Sequence, residues 1–422
     1  MMRTTARALA LAFMLLAVCL FCAAPARAGQ GEETTIYIAS DLHYLSPRLV
    51  TPGAAYEEVM NVRDGKEVRY IEQLVDAFVD QVRADRPDML LLCGDLTFNG
   101  ELFSHEDLAK KLERIDPAVT KVYVVPGNHD INNVFASAFV GDAQAAADYV
   151  SPARFAQIYD RLGLARADYT GTGTLFYSVR PASGPWLAML DSCRYVANVA
   201  LGAPDSNGAI GNDAIQWLPR VAEKARAAGQ PLITVSHHNL FMHNRALVSA
   251  MPIRNNDELY EALQASGVRL HLSGHIHAQN IAEHGGIYDI ASNALSVYPH
   301  RYGVLRYVGD TFDYHTEGLD VAAWARARGS ADPNLLDYGA YTRAFFDATV
   351  SDFARRMPAG LYTPQGQEAV LAMARDANAR YFAGEALPRA QVEAQAGYAL
   401  LMAHQATDWL GEYVQSIAFD DG

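Results

Sequence analysis

Five short apolar runs in this chain each lead directly into polar residues of the kinds that bind metal ions. Segments with apolar residues at helical spacing lie between several of the runs, which predicts that strands alternate with helices along the sequence. Continuous apolar runs are typical of strands that are buried on both faces in a parallel sheet. Because parallel strands end at the same edge of a sheet, we expect the polar segments to lie close together. The segments are Asp41-x-His43, Gly94-Asp95, Gly127-Asn128-His129-Asp130, His237-His238 and Gly274-His275-x-His277.

The stretches between the apolar runs predict the remaining elements of an α/β fold. An apolar face from Ile71 to Val82 predicts a helix, and a charged helix is expected at about residues 104–115. Ser151-Pro152 is a typical helix start. Residues 46–66 are expected to form a loop or excursion. Further helices are expected at 213–228 and 257–266, and a further strand at 187–191. Three last strands, at 287–291, 303–308 and 311–315, are expected to be antiparallel and to complete a second sheet.

The first 28 residues predict a cleaved signal peptide. Basic residues precede an apolar run from Ala8 to Ala24, and the A-x-A pattern Ala26-Arg27-Ala28 follows the run. An uncleaved membrane anchor is the alternative, whereas the large residues before Cys19 and Cys22 disfavour a lipoprotein. No other apolar stretch in the sequence is long enough to span a bilayer. We therefore expect an exported protein, either periplasmic or secreted.

Only two cysteines, Cys93 and Cys193, follow the predicted cleavage site. Both lie at or near the ends of apolar runs, which predicts two buried thiols. An exported protein can also form a disulfide, so the pairing of the two residues stays open at this point.

The charge of the chain limits its ligands. The formal net charge is -14 at pH 7. Nucleic-acid surfaces depend on clustered lysine and arginine, so a dedicated nucleic-acid surface is not expected. An acidic protein can still bind phosphate esters when metal ions supply the local positive charge.

The sequence changes character after about residue 318. Three segments, around residues 350–357, 370–381 and 402–417, have apolar faces at helical spacing and predict helices packed on a catalytic core. We therefore expect a catalytic domain at residues 33–317 and a C-terminal helical region at residues 318–422.

Taken one at a time, the five polar segments have ordinary structural explanations. Gly-Asp is a common turn, Asn128 could be a turn residue, and His237 could be a hydrogen-bonded core histidine. The occurrence of all five in order at similar strand ends favours one shared site. Its imidazole, carboxylate and amide groups suit Fe, Mn or Zn, so we expect divalent or similar metal ions there.

The ordered set resembles the signature of the calcineurin-like metallophosphoesterase family, which is DxH, GD, GNH(D/E), H and GHxH. The resemblance covers about residues 34 to 315 and implies a four-layer α/β/β/α sandwich. The wider motifs are most similar to a bacterial branch of the family that includes cyclic-nucleotide phosphodiesterases. These motifs are SDLHYLSP (40–47), GDLTFNGE (94–101), VPGNHD (125–130) and SGHIHAQ (273–279).

The resemblance implies a centre of two metal ions. Two neighbouring cations lower the pKa of a water, bind phosphate oxygens and stabilise a leaving oxygen. His129 would contact the phosphate or protonate the leaving group, and Asp130 would orient His129 or an adjacent ligand. The implied ligands are Asp41, His43 and His277 for the first ion, Asn128, His237 and His275 for the second, and Asp95 as the bridge.

The chain departs from the family pattern in two places. Phe98 stands where many relatives have an acidic residue, so we expect changed support around the ligands, with both ions retained. Asn239 stands where relatives often have proline. Within His237-His238 we expect His237 to be the ligand, since neighbours on a strand point to opposite faces. His243 could touch substrate, but a solvated loop position is expected for it.

These residues predict an exported two-metal hydrolase that cleaves phosphate esters, with phosphodiesters favoured. The resemblance implies attack by a metal-bound hydroxide, assisted by His129. The alternatives are a phosphomonoesterase or nucleotidase and, from another class, a non-catalytic binding protein on the same fold. The expected partner is a small phosphate ester, and the sequence leaves the oligomeric state open.

Overall fold

The computed structural model describes residues 33–61, 65–164, 175–245, 252–385, 387–405 and 408–419. The predicted signal peptide, residues 1–28, lies outside these residues. Within the described ranges, no helix is long and apolar enough to cross a membrane.

The first sheet has five strands and carries three of the polar segments. Its strands are β1 (Thr34–Ala39), β3 (Met89–Cys93), β4 (Lys121–Val125), β13 (Arg301–Val308) and β14 (Thr311–Gly318), in the order β14-β13-β1-β3-β4. β1, β3 and β4 are parallel to one another, as predicted, whereas β13 is antiparallel to both of its neighbours, β1 and β14. All five residues of β3 are buried, which accounts for its continuous apolar sequence.

The second sheet has six strands and carries the other two polar segments. Its strands are β7 (Tyr177–Val179), β8 (Trp186–Met189), β9 (Leu232–Val235), β10 (Leu270–Ser273), β11 (Asn280–His284) and β12 (Ile287–Ala291), in the order β11-β12-β10-β9-β8-β7. The four central strands are parallel, and the edge strands β7 and β11 are antiparallel to their neighbours.

The prediction for the last three strands was wrong for two of them. Strand β12 joins the second sheet, antiparallel to β11 and parallel to β10, but the antiparallel β13–β14 hairpin joins the first sheet through β1. Alternating apolar residues show that a strand has one buried face, but they do not identify its partner strand. The partner of the hairpin is set by packing at long range, which includes the ring of Tyr302 against Tyr37 and Phe78.

Helices cover the outer faces of both sheets, which gives the predicted four-layer α/β/β/α sandwich. The covering helices are α2 (Ile71–Asp85) and α3 (Leu102–Leu112) on the first sheet, and α6 (Asn212–Ala227) and α7 (Asn256–Ser266) on the second. Leu187 and Met189 of β8 lie in the main core, whereas Trp186 and Ala188 on its other face pack with α6. This alternation follows from the opposite orientation of successive strand side chains.

The excursion at residues 46–66 contains regular structure that was not predicted. It includes β2 (Val50–Thr51) and α1 (Ala54–Met60), and β2 pairs with β5 (Ser137–Val140) and β6 (Ala143–Ala146) in a small third sheet. Elements this short have too few residues to show a period. Helix α4 (Pro152–Ile158) begins as predicted, with the Ser151 hydroxyl accepting the Arg154 N–H at 3.2 Å. A one-turn helix, α5 (Asn198–Leu201), follows β8.

The C-terminal region is helical, as predicted. Its helices are α8 (Val321–Ala327), α9 (Pro333–Leu336), α10 (Tyr338–Ser351), α11 (Pro364–Phe382), α12 (Arg389–Glu393), α13 (Ala396–Ala403) and α14 (Leu410–Ala418). The predicted apolar face of α11 packs with α14 in a separate core. Ile276 and Ala278, which alternate with the histidines of the GHIH segment, are buried in that same core. The helical region therefore packs directly behind one of the polar segments.

Candidate metal centre

All seven residues predicted as metal ligands come together where the two sheets meet. Asp41, Asp95 and Asn128 follow β1, β3 and β4 of the first sheet. His237 follows β9 of the second sheet, and the GHIH segment follows β10. The carboxyl ends of parallel strands thus supply the site from both sides.

One group of four residues could hold a metal ion. Asp41, His43, Asp95 and His277 each offer a ligand atom, and these atoms all lie within 4.8 Å of one another. His277 Nε2 is 3.3 Å from both Asp41 Oδ1 and His43 Nε2. His43 Nε2 is 3.8 Å from Asp95 Oδ2.

A second group lies on the other side of Asp95. His237 Nε2 is 3.0 Å from Asn128 Oδ1, 3.2 Å from His275 Nδ1 and 3.5 Å from Asp95 Oδ2. The carboxylate of Asp95 therefore faces both groups, as a bridging ligand would.

His238 lies beside the second group, but its hydrogen bonds point to a structural role. One of its ring nitrogens lies within 4.8 Å of a ring nitrogen of His237 and of His275. However, Nδ1 is 2.8 Å from Ser192 Oγ and Nε2 is 3.2 Å from the Ser206 carbonyl. His237 instead bonds the Cys93 carbonyl through Nδ1 at 2.9 Å, which leaves Nε2 for the cluster. The geometry favours His237 as the ligand.

Five of the seven residues have strained backbones. Asp41, His43, Asp95, His275 and His277 have φ angles between 45° and 69°. This left-handed conformation costs a residue with a Cβ about 1–2 kcal/mol. Such strain concentrates at functional sites, where the surrounding structure holds the side chain in place.

Two glycines of the motifs allow the strand ends to approach closely. A Cβ at Gly127 would overlap the backbone and carboxylate of Asp95, and a Cβ at Gly274 would overlap the Ser40 side chain. Glycine is therefore required at both positions by the close approach of the neighbouring loop.

Electrostatics favour the metal-binding forms of Asp95 and His275. Burial alone would raise the pKa of Asp95, but the imidazoles of His237, His129 and His43 outweigh it and hold this pKa well below its usual range. Burial, together with repulsion from His237, lowers the pKa of His275 to about 3. A neutral imidazole and an ionised carboxylate are the forms that bind metals.

The donor set fits metal ions by a further observation. Asp41 Oδ1 is buried and makes no hydrogen bond of acceptable geometry among the described residues, although His277 Nε2 lies 3.3 Å away. An unpaired buried carboxylate oxygen is costly in free energy unless a cation or another donor satisfies it. This oxygen faces His277 Nε2, where the ligand atoms of the first group converge.

His129 faces the cluster through Nε2. Its side chain is 24% exposed, and Nε2 lies 3.9 Å from Asp95 Oδ2. Nδ1 lies 2.8 Å from the Phe98 carbonyl and 3.0 Å from Asn99 Oδ1. The main-chain carbonyl of Phe98 thus supports His129, and the expected change in support around the ligands stays a prediction.

Asp130 does not contact the His129 imidazole. It is fully buried, and its carboxylate accepts the N–H groups of Leu96, Thr97 and Gly127 at 2.8–3.0 Å. Of its two predicted roles, these contacts fit the support of an adjacent ligand, since the accepted N–H groups belong to the loops that carry Asp95 and Asn128. Burial is the main cause that raises the pKa of Asp130 to about 7.

Two residues that follow the fourth segment, Asn239 and His243, make defined contacts. Asn239 Nδ2 donates to Ser273 Oγ at 2.8 Å and to the Gly274 carbonyl at 3.1 Å, which links the fourth and fifth segments. The expectation of a solvated His243 was wrong, because this residue is only 2% exposed and its Nε2 lies 3.2 Å from Asp289 Oδ2. A buried carboxylate needs such a partner, and the partner was distant in sequence.

Lys66 lies near the site and was not predicted from the sequence. Its positive charge contributes to lowering the pKa values of His43 and His129, after burial as the main cause. Its backbone bridges to Val297, and the neighbouring Ser296 hydroxyl donates to the Asp41 carbonyl at 2.7 Å. Lys66 lies at the end of the excursion, where no periodic pattern indicated structure.

The sequence profile of calcineurin-like phosphoesterases matches residues 34–279, which is more than half of the 422-residue chain. The chain belongs to this family. A second profile, described as the C-terminal domain of cyclic nucleotide phosphodiesterase, matches residues 320–422. The two matches confirm the resemblance that the motifs predicted. The protein is accordingly a metal-dependent phosphoric ester hydrolase of the calcineurin-like family.

Several solved structures resemble the family domain at low identity. A dimetal phosphatase from Danio rerio is 14% identical, with 68% of this chain and 99% of that chain covered and a TM-score of 0.47. A putative 5'-nucleotidase from Staphylococcus aureus in complex with alpha-ketoglutarate is 13% identical, with 68% and 54% covered and a TM-score of 0.40. No curated protein matches this chain.

Proposed function

We propose that this family member is an exported phosphodiesterase and that cyclic nucleotides are its leading substrate class. The observation that carries the proposal is the match of residues 320–422 to the C-terminal domain of cyclic nucleotide phosphodiesterase. The SDLHYLSP and SGHIHAQ forms of the motifs support the same branch. This C-terminal region packs against the GHIH segment through Ile276 and Ala278, so it belongs to the surroundings of the site.

The ligand set is proposed as the sequence implied it. One ion would be held by Asp41, His43 and His277, the other by Asn128, His237 and His275, and Asp95 would bridge both. The short distances within each group support this division. The identity of the ions is left to measurement, because mixed nitrogen and oxygen ligands accept Fe, Mn and Zn.

The metal pair, when bound, supplies an acidified water and positive charge for the phosphate oxygens. The role of His129 follows from its contacts. Since Nδ1 is held by Phe98 and Asn99, Nε2 is the atom that faces Asp95 and the substrate. Donation of a proton from Nε2 to the leaving oxygen requires the imidazolium form, which an anionic phosphate favours. Burial, and after it the positive charge of Lys66, oppose this form by lowering the pKa of His129, so the phosphate would supply the opposing effect.

The non-catalytic alternative is disfavoured by the residues themselves. Each of the seven ligand positions holds a competent side chain, and His129 also faces the cluster. A binding protein that had lost activity would be free to lose several of them.

The test uses protein without residues 1–28, stripped of metal and reloaded with Mn. Rates are compared on bis-p-nitrophenyl phosphate, p-nitrophenyl phosphate and cyclic AMP, with Asp95→Asn as the inactive control. Faster cleavage of the diesters supports the proposal, and turnover of cyclic AMP narrows it to cyclic nucleotides. Faster cleavage of the monoester would instead assign a phosphatase or nucleotidase, and no metal-dependent turnover would favour a binding protein.

Export and domain division are part of the proposal. Residues 1–28 are proposed as the signal peptide, residues 33–317 as the catalytic domain and residues 318–422 as the helical region. Expression of the full chain in a bacterial host, followed by fractionation and mass spectrometry, tests the first point. A mature protein that starts at Gly29 outside the cytoplasm is expected, and an intact N-terminus in the cytoplasm would refute export.

A further inference from the structure

A groove opens beside His129, with a cavity volume of about 420 Å³. Its walls come from α1, from the loop after Asp95, and from the segment that contains the β5–β6 hairpin. Among the described residues that line it, none carries a charge. Its lining side chains include Val59, Phe98, Asn99, Phe135 and Gln144.

The groove adjoins the metal centre at Asn99, on the Nδ1 side of the His129 ring. Asn99 lines the groove, and its Oδ1 lies 3.0 Å from His129 Nδ1. Asn133 Nδ2 donates to the His129 carbonyl at 3.0 Å and lies 3.4 Å from Asn99 Oδ1. A ligand whose phosphate contacts His129 Nε2, on the opposite edge of this partly exposed ring, would cross the ring to reach the groove.

The walls combine aromatic faces with amides. Phe135 is 52% exposed, and Phe98 is partly exposed in the same groove. Gln144 Nε2 donates to Ser137 Oγ at 2.8 Å, which orients its amide at the rim. Aromatic faces stack on planar rings, and asparagine and glutamine amides pair with the hydrogen-bonding edges of nucleobases. A neutral wall next to a cationic centre matches a ligand with one anionic end and one uncharged planar end.

We propose that this groove binds the nucleobase of a nucleotide phosphodiester whose phosphate lies at the metal centre. The assignment rests on the proposed function and adds the residues that select the substrate. Phe135 provides the stacking face, and the amides of Asn99 and Gln144 contact the edge of the base. The volume of the groove lies within the range of small-molecule sites, and its walls are about equally polar and apolar.

The test compares wild-type protein with Phe135→Ala, Phe135→Trp and Tyr288→Ala, all loaded with Mn. Tyr288 is the matched control because it is an exposed aromatic residue of β12 that does not line the groove. KM is measured for cyclic AMP and for glycerophosphocholine, a phosphodiester without an aromatic ring. Calorimetry measures the affinity for adenosine, which carries no phosphate.

Phe135→Ala removes one stacking face. We expect it to raise the KM for cyclic AMP, divided by the KM for glycerophosphocholine, about tenfold and to weaken adenosine binding by a similar factor. The ratio should keep its wild-type value in Phe135→Trp and Tyr288→Ala. If wild-type protein hydrolyses cyclic AMP and Phe135→Ala changes neither quantity, the groove assignment is overturned and the proposed function stands. If wild-type protein hydrolyses neither ester, the proposed function fails, and adenosine binding with and without Phe135 still decides the groove.

Discussion

Asn293 donates a hydrogen bond from Nδ2 to the Phe382 carbonyl, at 3.1 Å, where helix α11 ends. The same Nδ2 donates to the His277 carbonyl at 2.8 Å, and the Gln279 N–H also reaches the Phe382 carbonyl at 3.1 Å. The end of a C-terminal helix is thereby fixed to the backbone of a proposed metal ligand. The helical region thus supports the position of the His277 imidazole.

Replacing Asn293 with aspartate tests this support. The carboxylate cannot donate, and it would face two carbonyl oxygens in a buried position. We expect metal affinity to fall about tenfold, as for other groups that orient a ligand, with a stability loss of about 1–3 kcal/mol. Metal titration and denaturant unfolding measure the two effects. Asn212→Asp, at the exposed start of α6, is the control, and equal metal affinity in both variants would contradict the role of Asn293.

Substitutions of Asp95 and His129 are expected to have different effects on metal content. Asp95→Asn removes the bridging charge, so both hydrolysis and metal content should fall. His129→Ala should retain both metals and lose about 10²–10⁴-fold in kcat, which is the usual contribution of a general acid. Metal analysis of the purified variants beside kinetics separates the two cases. Metal loss in His129→Ala would assign that side chain to the ligand set.

The adjacent histidines 237 and 238 offer a direct test of the ligand assignment. His237→Ala should lose metal, because its Nε2 faces Asn128 and Asp95. His238→Gln should keep its metal, since glutamine can bond the same serine groups that hold His238. Metal content by mass spectrometry is the measurement, and the reverse pattern would exchange the two roles.

Lys66→Met is expected to raise KM for phosphate esters several-fold while metal content stays unchanged. The ammonium group lies close enough to lower the pKa values of His43 and His129, so it can attract an anionic substrate. Lys110→Met is the control, because that side chain is 69% exposed on α3. A KM that does not respond to Lys66→Met would remove this residue from substrate binding.

Glu101 predicts a dependence of stability on pH. Burial raises its pKa to about 7 in the folded protein, above the ordinary value of 4.5. Folding therefore favours the protonated form, and this contribution is full below about pH 4.5 and is lost as the pH rises to about 7. Glu101→Gln has no carboxyl group to ionise. Its free energy of unfolding should therefore rise relative to that of the wild type by up to about 3 kcal/mol between pH 5 and 8. Unfolding curves at both pH values test the difference, and an equal difference at the two values would contradict it.

Strand ends predicted the parallel α/β arrangement and the shared site, whereas the four-layer sandwich and the set of seven ligands were implied by the resemblance to the family. A buried parallel strand such as β3 has a continuous apolar sequence, and the residue after its end must lie at the sheet edge. The position of Asp95 follows from that rule. The order of the segments then decided between separate turns and one shared site.

Features that depend on distant partners were not predictable in this way. The placement of the β13–β14 hairpin depends on packing around Tyr302, and the burial of His243 depends on Asp289, which lies far along the chain. The structure at residues 46–66 consists of elements too short to show periodicity, so Lys66 was missed with them. The apolar pattern of a segment shows which of its faces is buried. Which other segment packs on that face depends on the whole fold.

The site has a further consequence for how the molecule holds together. His43 follows the first sheet and His277 follows the second, 234 residues later, yet their Nε2 atoms are 3.3 Å apart. An ion held between them would close a long chain loop and join the two sheets, as a covalent cross-link does. The two described cysteines are free thiols and provide no such link. The cohesion of the sandwich would then follow the metal supply of its compartment and would be insensitive to thiol oxidants and reductants.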